Sequence, residues 1–195
     1  MASDRSGDEL RTQGAALWAE LVRAAGLRGH PWRQPVLATT CALRGAQART
    51  VVLREVSPGD HALIVYTDAR TSKLAQLDRD PRAQLVCWSP VLGWQLRLSC
   101  VVTSESDGLD VTSRWATLRH TRAAQDYLSP QAPGSALSTP GDAAEKTPGA
   151  VRGTFTLLRA QVLEMDWLAL DPDGHRRAVF DYRDTAAPQA RWLVP

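Results

Sequence analysis

Cysteine, methionine, phenylalanine and tyrosine are all scarce in this chain, with 3, 2, 2 and 3 copies among 195 residues. The cysteines, Cys41, Cys87 and Cys100, are odd in number and widely spaced, with no Cys-x-x-Cys, which argues against a disulfide framework, a zinc ribbon or a dithiol redox motif. Each lies in an apolar run, so buried reduced thiols are expected, and with them a reducing compartment. The four histidines, His30, His61, His120 and His175, have no ligand spacing, so no metal site is expected. No stretch approaches the roughly 18 apolar residues of a membrane span, and the N-terminal residues lack the apolar core of a signal peptide. A cytoplasmic protein without membrane contact is the expectation. The net charge of +2 comes from 23 basic and 21 acidic residues that are interleaved, which gives no basic face for nucleic acid. Gly-x-Ser-x-Gly, His-Glu-x-x-His and Gly-x-Gly-x-x-Gly are missing as well. Lys146 and Thr147 resemble part of a phosphate loop, but no glycine precedes the lysine, and Asp142 and Glu145 would repel phosphate.

Tryptophan is plentiful by contrast. Seven Trp outnumber Phe and Tyr combined, as anchors for a core or an interface, with one or two free to stack on a ring. The length suits a single domain over residues 1–195, and 44% hydrophobic content is enough for a proper core. Leu10, Leu17, Leu21 and Val22 recur at helical spacing within residues 1–30, with Gly26 as a stop. Strand signals follow at 36–43, 50–56 and 61–67, with turns at Gly45, Ala46 and Gln47 and at Pro58, Gly59 and Asp60. Residues 71–78 read as a short helix, 83–89 and 94–104 as a hairpin, and 109–120 and 122–128 as helices. Pro, Gly, Ser, Thr and Ala dominate residues 129–150, a long loop with a flexible part. Strands at 155–167, 178–182 and 191–194 complete a mainly β, antiparallel pattern: a small barrel flanked by helices.

One constellation carries chemistry. Arg49, Tyr66, Thr67, Ser72 and Lys73 lie within twenty-five residues, on two strands and the opening of a helix. Taken singly, each is an ordinary solvated position. Taken together, they offer a planar guanidinium fork, a compact ammonium, hydroxyls and free helix-start N–H groups to one dianionic phosphate.

The order of these pieces resembles the pyridoxamine 5′-phosphate oxidase superfamily, the FMN-binding split barrels. The residues that carry the resemblance are Arg49, Thr50, Val51, Val52, Leu53 and Arg54, then Tyr66-Thr67, then Thr71-Ser72-Lys73, then Asp80-Pro81-Arg82, then Gln95. Trp167, His175-Arg176-Arg177 and the closing Trp192-Leu193-Val194-Pro195 extend it to the C-terminus. The resemblance implies a split barrel with bound FMN. It places phosphate contacts on Arg49, Ser72 and Lys73, and ring contacts on residues 51–54, Tyr66, Thr67 and Gln95. It also implies a homodimer with a shared cofactor site, to which Trp167 and Arg177 come from the other subunit. Arg49 and Arg54 are five apart and face opposite ways on a regular strand, so both reach one cofactor only around an edge or through a bulge.

The resemblance implies a flavin-dependent oxidase or reductase acting on a small molecule, with Arg54 and His175 as catalytic candidates. The vitamin-converting members carry an arginine that grips substrate where this chain has Asp173. Pyridoxamine or pyridoxine 5′-phosphate oxidation is therefore the alternative rather than the first reading. A non-catalytic binder of flavin, a B6 vitamer or haem is the other.

Overall fold

The computed structural model describes residues 2–139, 154–184 and 188–195, and three helices and nine antiparallel strands lie among them. Helix α1 (Ala2–Gly26) buries Leu10, Leu17, Leu21 and Ala24 on one face, together with Trp18. Val22, expected on that face, lies one position round the helix from Leu21 and is 45% exposed. The His30 side chain then starts a 3-10 turn (Pro31–Arg33): its Nδ1 accepts from the Trp32 N–H at 3.1 Å, leaving Nε2 to Glu20 at 2.7 Å.

The strands are β1 (Val36–Cys41), β2 (Gly45–Thr50), β3 (Leu53–Ser57), β4 (Ala62–Asp68), β5 (Arg82–Ser89), β6 (Trp94–Glu105), β7 (Phe155–Ala169), β8 (Arg176–Asp181) and β9 (Gln189–Leu193). They run in the order β2-β1-β5-β6-β7-β4-β3, and β8 and β9 branch from β7. β7 organises the sheet. One of its edges pairs with β6, and the other pairs first with β4 and then, past a register shift, with β8. Helix α2 (Ser72–Arg79) packs on β1 and β6, while α3 (Gly108–Leu118) covers the outer side of β7.

The sequence-based strand at 50–56 is divided. The reversal after β1 falls at residues 42–44, Gly45 opens β2 with φ 68°, and β2 ends at Thr50. Val51 donates its N–H to the Pro35 carbonyl at 3.0 Å in the same register, the ladder stops there because Pro35 has no N–H to return, and β3 begins at Leu53. β2 and β3 lie at opposite ends of the strand order, yet three Cα steps join them, a span of at most about 11 Å. The ends are therefore drawn together, and the sheet rolls into a split, unclosed barrel. The apolar run of Val51, Val52 and Leu53 holds no glycine or proline to mark the break.

Leu37, Leu53, Leu63, Leu85, Leu96, Leu98, Met165 and Trp167 fill the interior. A second cluster, including Ile64, Val111, Leu118, Tyr127 and Phe155, lies under α3 and a 3-10 segment (Arg122–Tyr127) that was expected to be helical. The segment from Gly141 to Thr147 lies outside the described residues. Among the described residues no helix is long and apolar enough to cross a membrane, and no group of three His, Cys, Asp or Glu residues could hold a metal ion.

Candidate functional site

Residues directly opposite each other on antiparallel strands share a face. Arg49 pairs with Leu37, which is 2% exposed, so Arg49 points into the barrel mouth beside α2. Its guanidinium donates to Thr39 Oγ1 at 2.5 Å and to Gln76 Oε1 at 3.0 Å. Lys73, in the first turn of α2, donates from Nζ to Thr67 Oγ1 at 2.8 Å. Thr71 is the N-cap residue, but its hydroxyl bonds to the Asp68 carbonyl at 2.8 Å and leaves the helix start uncapped. Ser72, next in the chain, is exposed.

The electrostatics here are those of two cations brought close together. Burial pushes the Lys73 ammonium below its ordinary pKa, and the facing Arg49 pushes it further in the same direction. Burial also lowers Arg49. Neither cation takes part in an ion pair among the described residues, although the chain forms such pairs at Arg70, Arg82, Arg97, Arg114 and Arg177. Two half-buried, mutually repelling cations with hydroxyls between them fit a phosphate dianion, which would complete their hydrogen bonds and relieve their repulsion.

The ring-side candidates gather next to it. Arg54 is the extra residue of a bulge, since Leu53 pairs with Val65 and Glu55 with Ile64. The break at Val51 and this bulge together remove the parity conflict between Arg49 and Arg54. The Arg54 guanidinium sits 5.4 Å from the Tyr66 ring centroid, and its Nε is buried without a partner. Tyr66 donates to Glu55 at 2.7 Å, and Arg114 clamps the same carboxylate through two 2.8 Å bonds. Burial and Glu55 raise the Tyr66 phenol, while Arg114 lowers Glu55. Val51 and Leu53 are buried, Val52 is half-buried, and Thr50 is exposed at the end of β2.

The remaining expected residues lie elsewhere. Gln95, Leu168 and Arg177 are in register across β6, β7 and β8. Gln95 is also opposite Trp88, which is 46% exposed, so this row lies on the outer face, turned away from Arg49. Arg177 is already engaged by Asp166 at 2.8 Å, and Asp166 also takes Arg97. Trp167 departs from its expected role. It is 0% exposed inside the barrel, with Trp94 and Trp192 ring centroids 5.4 and 6.4 Å away, and no face is left for a ligand in this arrangement. The period of two that turns Leu168 outward turns Trp167 inward. His175 is exposed, and its Nδ1 accepts from the Asp171 N–H at 3.2 Å, closing a surface turn.

Sequence reasoning missed Gln76, Thr39, Glu55 and Arg114. Gln76 was within reach, because it stands three residues after Lys73 on the same helix face. Thr39 was signalled by a polar side chain at an inward strand position. The pairing of Glu55 with Arg114, 59 residues apart, had no local signal.

Comparison with known proteins gives the same fold. The model of the pyridoxamine 5′-phosphate oxidase FMN-binding domain matches residues 15–104. The crystal structure of a pyridoxamine 5′-phosphate oxidase-related, FMN-binding protein from Nostoc punctiforme PCC 73102 is similar at 25% identity, with a TM-score of 0.76 over 93% of this chain and 96% of that one. PhzG from Burkholderia lata 383, crystallised with tetrahydrophenazine-1-carboxylic acid, has the same fold at 18% identity, with a TM-score of 0.70 over 93% and 90%. General Stress Protein 26 from Bacillus anthracis str. Sterne is more distant, at 12% identity and a TM-score of 0.50 over 77% and 92%. No curated protein sequence matches the chain. Residues 15–104 thus match the pyridoxamine 5′-phosphate oxidase FMN-binding domain, and the chain as a whole is similar in fold to the Nostoc FMN-binding protein, a split barrel.

Proposed function

We propose that the chain binds FMN, with the phosphate held between Arg49 and Lys73, and acts as a homodimeric oxidoreductase on a small molecule. The observation that carries this reading is the pair of half-buried cations that repel each other and form no ion pair among the described residues, the nearby Asp68 being taken by Arg70. Thr67 and Gln76 orient the two cations, and the uncapped start of α2 adds N–H donors. Tyr66, fixed by Glu55 and Arg114, and the Arg54 guanidinium above it would form one wall of the ring site. FMN, when bound, supplies the redox chemistry, and the protein supplies position, charge and exclusion of water.

The outward row of Gln95 and Arg177 supports the dimeric form of this reading. Within one chain these residues face away from Arg49, so a second chain is needed to bring them to the same cofactor. A cytoplasmic location accords with two buried thiols, Cys87 and Cys100, both raised well above the ordinary range by burial.

The test is FMN and riboflavin titration of the Arg49→Ala/Lys73→Ala protein. Each charge-assisted bond contributes about 1.5–3 kcal/mol, so FMN affinity should fall at least ~100-fold while riboflavin, lacking the phosphate, is bound almost equally by both proteins. Unchanged FMN affinity in the folded variant would overturn the assignment.

A further inference from the structure

Below the β3–β4 turn lies a cavity of about 550 Å³ that the flavin reading leaves unused. It opens between α1 and the β8–β9 region, and its lining includes Leu10, Trp18, His61, Phe180 and Tyr182. His61 directly precedes β4 and Thr67 lies near the other end of that strand, so the cavity sits about 20 Å from the phosphate cluster. We propose that it is a second binding site, for a planar aromatic molecule of two or three fused rings bearing one hydroxyl or carbonyl.

Three independent features point to a ligand. His61 has φ 48°, the left-handed conformation that glycine adopts without strain, and it is the one such non-glycine residue among those described. A side chain kept at that cost has work for its ring. The ring lies over Tyr182 at 4.4 Å and Trp18 at 5.6 Å, yet its Nδ1 is buried with no protein partner. Tyr182 accepts from Trp18 Nε1 at 3.1 Å and keeps its own proton to donate. The helix wall is also cut away. Gly7 and Gly14 both face the cavity from inside α1, where glycine costs about 1 kcal/mol relative to alanine. At Gly14 an added Cβ would press on Phe180 at 3.2 Å, whereas at Gly7 it would meet only Arg11 Nη1 at 4.0 Å, so open space lies there.

The volume falls within the roughly 300–1,000 Å³ of small-molecule sites, with apolar rings for affinity and few polar groups for orientation. The Tyr182 hydroxyl, with a proton still to donate, calls for a ligand with a hydrogen-bond acceptor, which an apolar side chain from a second copy would not supply.

The probe is 2-naphthol, titrated calorimetrically into the FMN-loaded full chain. One saturable site per chain with micromolar Kd is expected. Gly7→Leu, which fills the open side without a clash, should weaken binding at least ~30-fold. His61→Gly, which relieves the backbone while removing the imidazole, should weaken it at least ~10-fold and raise Tm. Both variants should bind FMN like the parent. Equal 2-naphthol affinity in all three proteins would overturn the proposal, as would release of FMN in proportion to bound naphthol. Loss of the dimer on naphthol binding would also overturn it, because the cavity would then be an interface between copies.

Discussion

Lys73→Met separates a cofactor role from a structural one because the two predict opposite signs. The substitution keeps an unbranched side chain of similar length in the first turn of α2 and removes the charge facing Arg49. In the free protein that charge is a burden: burial and Arg49 lower its pKa from 10.5 and outweigh the opposing pull of Asp68. The unfolded chain therefore binds more protons between the lowered value and 10.5, and stability rises with pH across that window. Removing the ammonium should leave the free protein at least as stable, despite the lost bond to Thr67, and should flatten this alkaline rise. The phosphate loses one charge-assisted hydrogen bond, about 1.5–3 kcal/mol, so FMN should bind roughly 10- to 150-fold more weakly. In the parent, FMN affinity should fall as pH climbs through the Lys73 pKa, opposite in sign to the stability trend. Urea unfolding and flavin fluorescence quenching across the alkaline range measure both. A variant that is less stable when free, yet binds FMN as before, would show that Lys73 is a structural residue and that the anion site lies elsewhere.

Asp166→Asn should flatten the acid limb of the stability curve. Burial alone would raise this carboxyl, but Arg177 and Arg97 outweigh it and hold it below 3.8, so its stabilisation is present above that value and lost as pH falls through the lowered one. Gly93→Ala should destabilise by about 2–3 kcal/mol in urea melts, since its φ is 63° and the new Cβ would stand 2.6 Å from the Leu170 carbonyl oxygen. Trp167→Ala should cost about 3–5 kcal/mol as a core truncation, with little effect on FMN affinity at temperatures where the variant stays folded. FMN-loaded protein under air should turn over pyridoxamine 5′-phosphate poorly, with at most partial gain in Asp173→Arg. Pyridoxal-phosphate formation at the rate of a dedicated oxidase would refute this.

The parts of the fold that were legible in the sequence are those with local signals. The turn signal of Pro90-Val91-Leu92-Gly93 gave the hairpin of β5 and β6 almost to the residue, and Thr71-Ser72-Lys73 marked the start of α2. Arg49 and Lys73 stood out in the sequence because their types and order are chemically distinctive. What was hidden depends on pairing across the sheet. The end of the β1–β2 ladder at Val51 is decided by its partner Pro35, which has no N–H to return, and the bulge at Arg54 by register with β4. Trp167 was misplaced because its motif named the residue without its face. No local signal marks the pairing of Asp166 with Arg97 and Arg177, which β6 and β8 bring to it.

The position of β7 has a consequence for how the chain reaches its native state. The strand begins at Phe155, yet it separates β4 from β6, both complete by residue 105. At about 5–20 residues per second, a growing chain waits roughly 3–10 s with those two edges unpaired. Residues 15–104, the region that matches the family model, therefore contain Arg49, Thr67 and Lys73 but not the strand that joins the two halves of the sheet. Expressed alone, that fragment would present two long open strand edges to other copies of itself, and association through them would compete with folding.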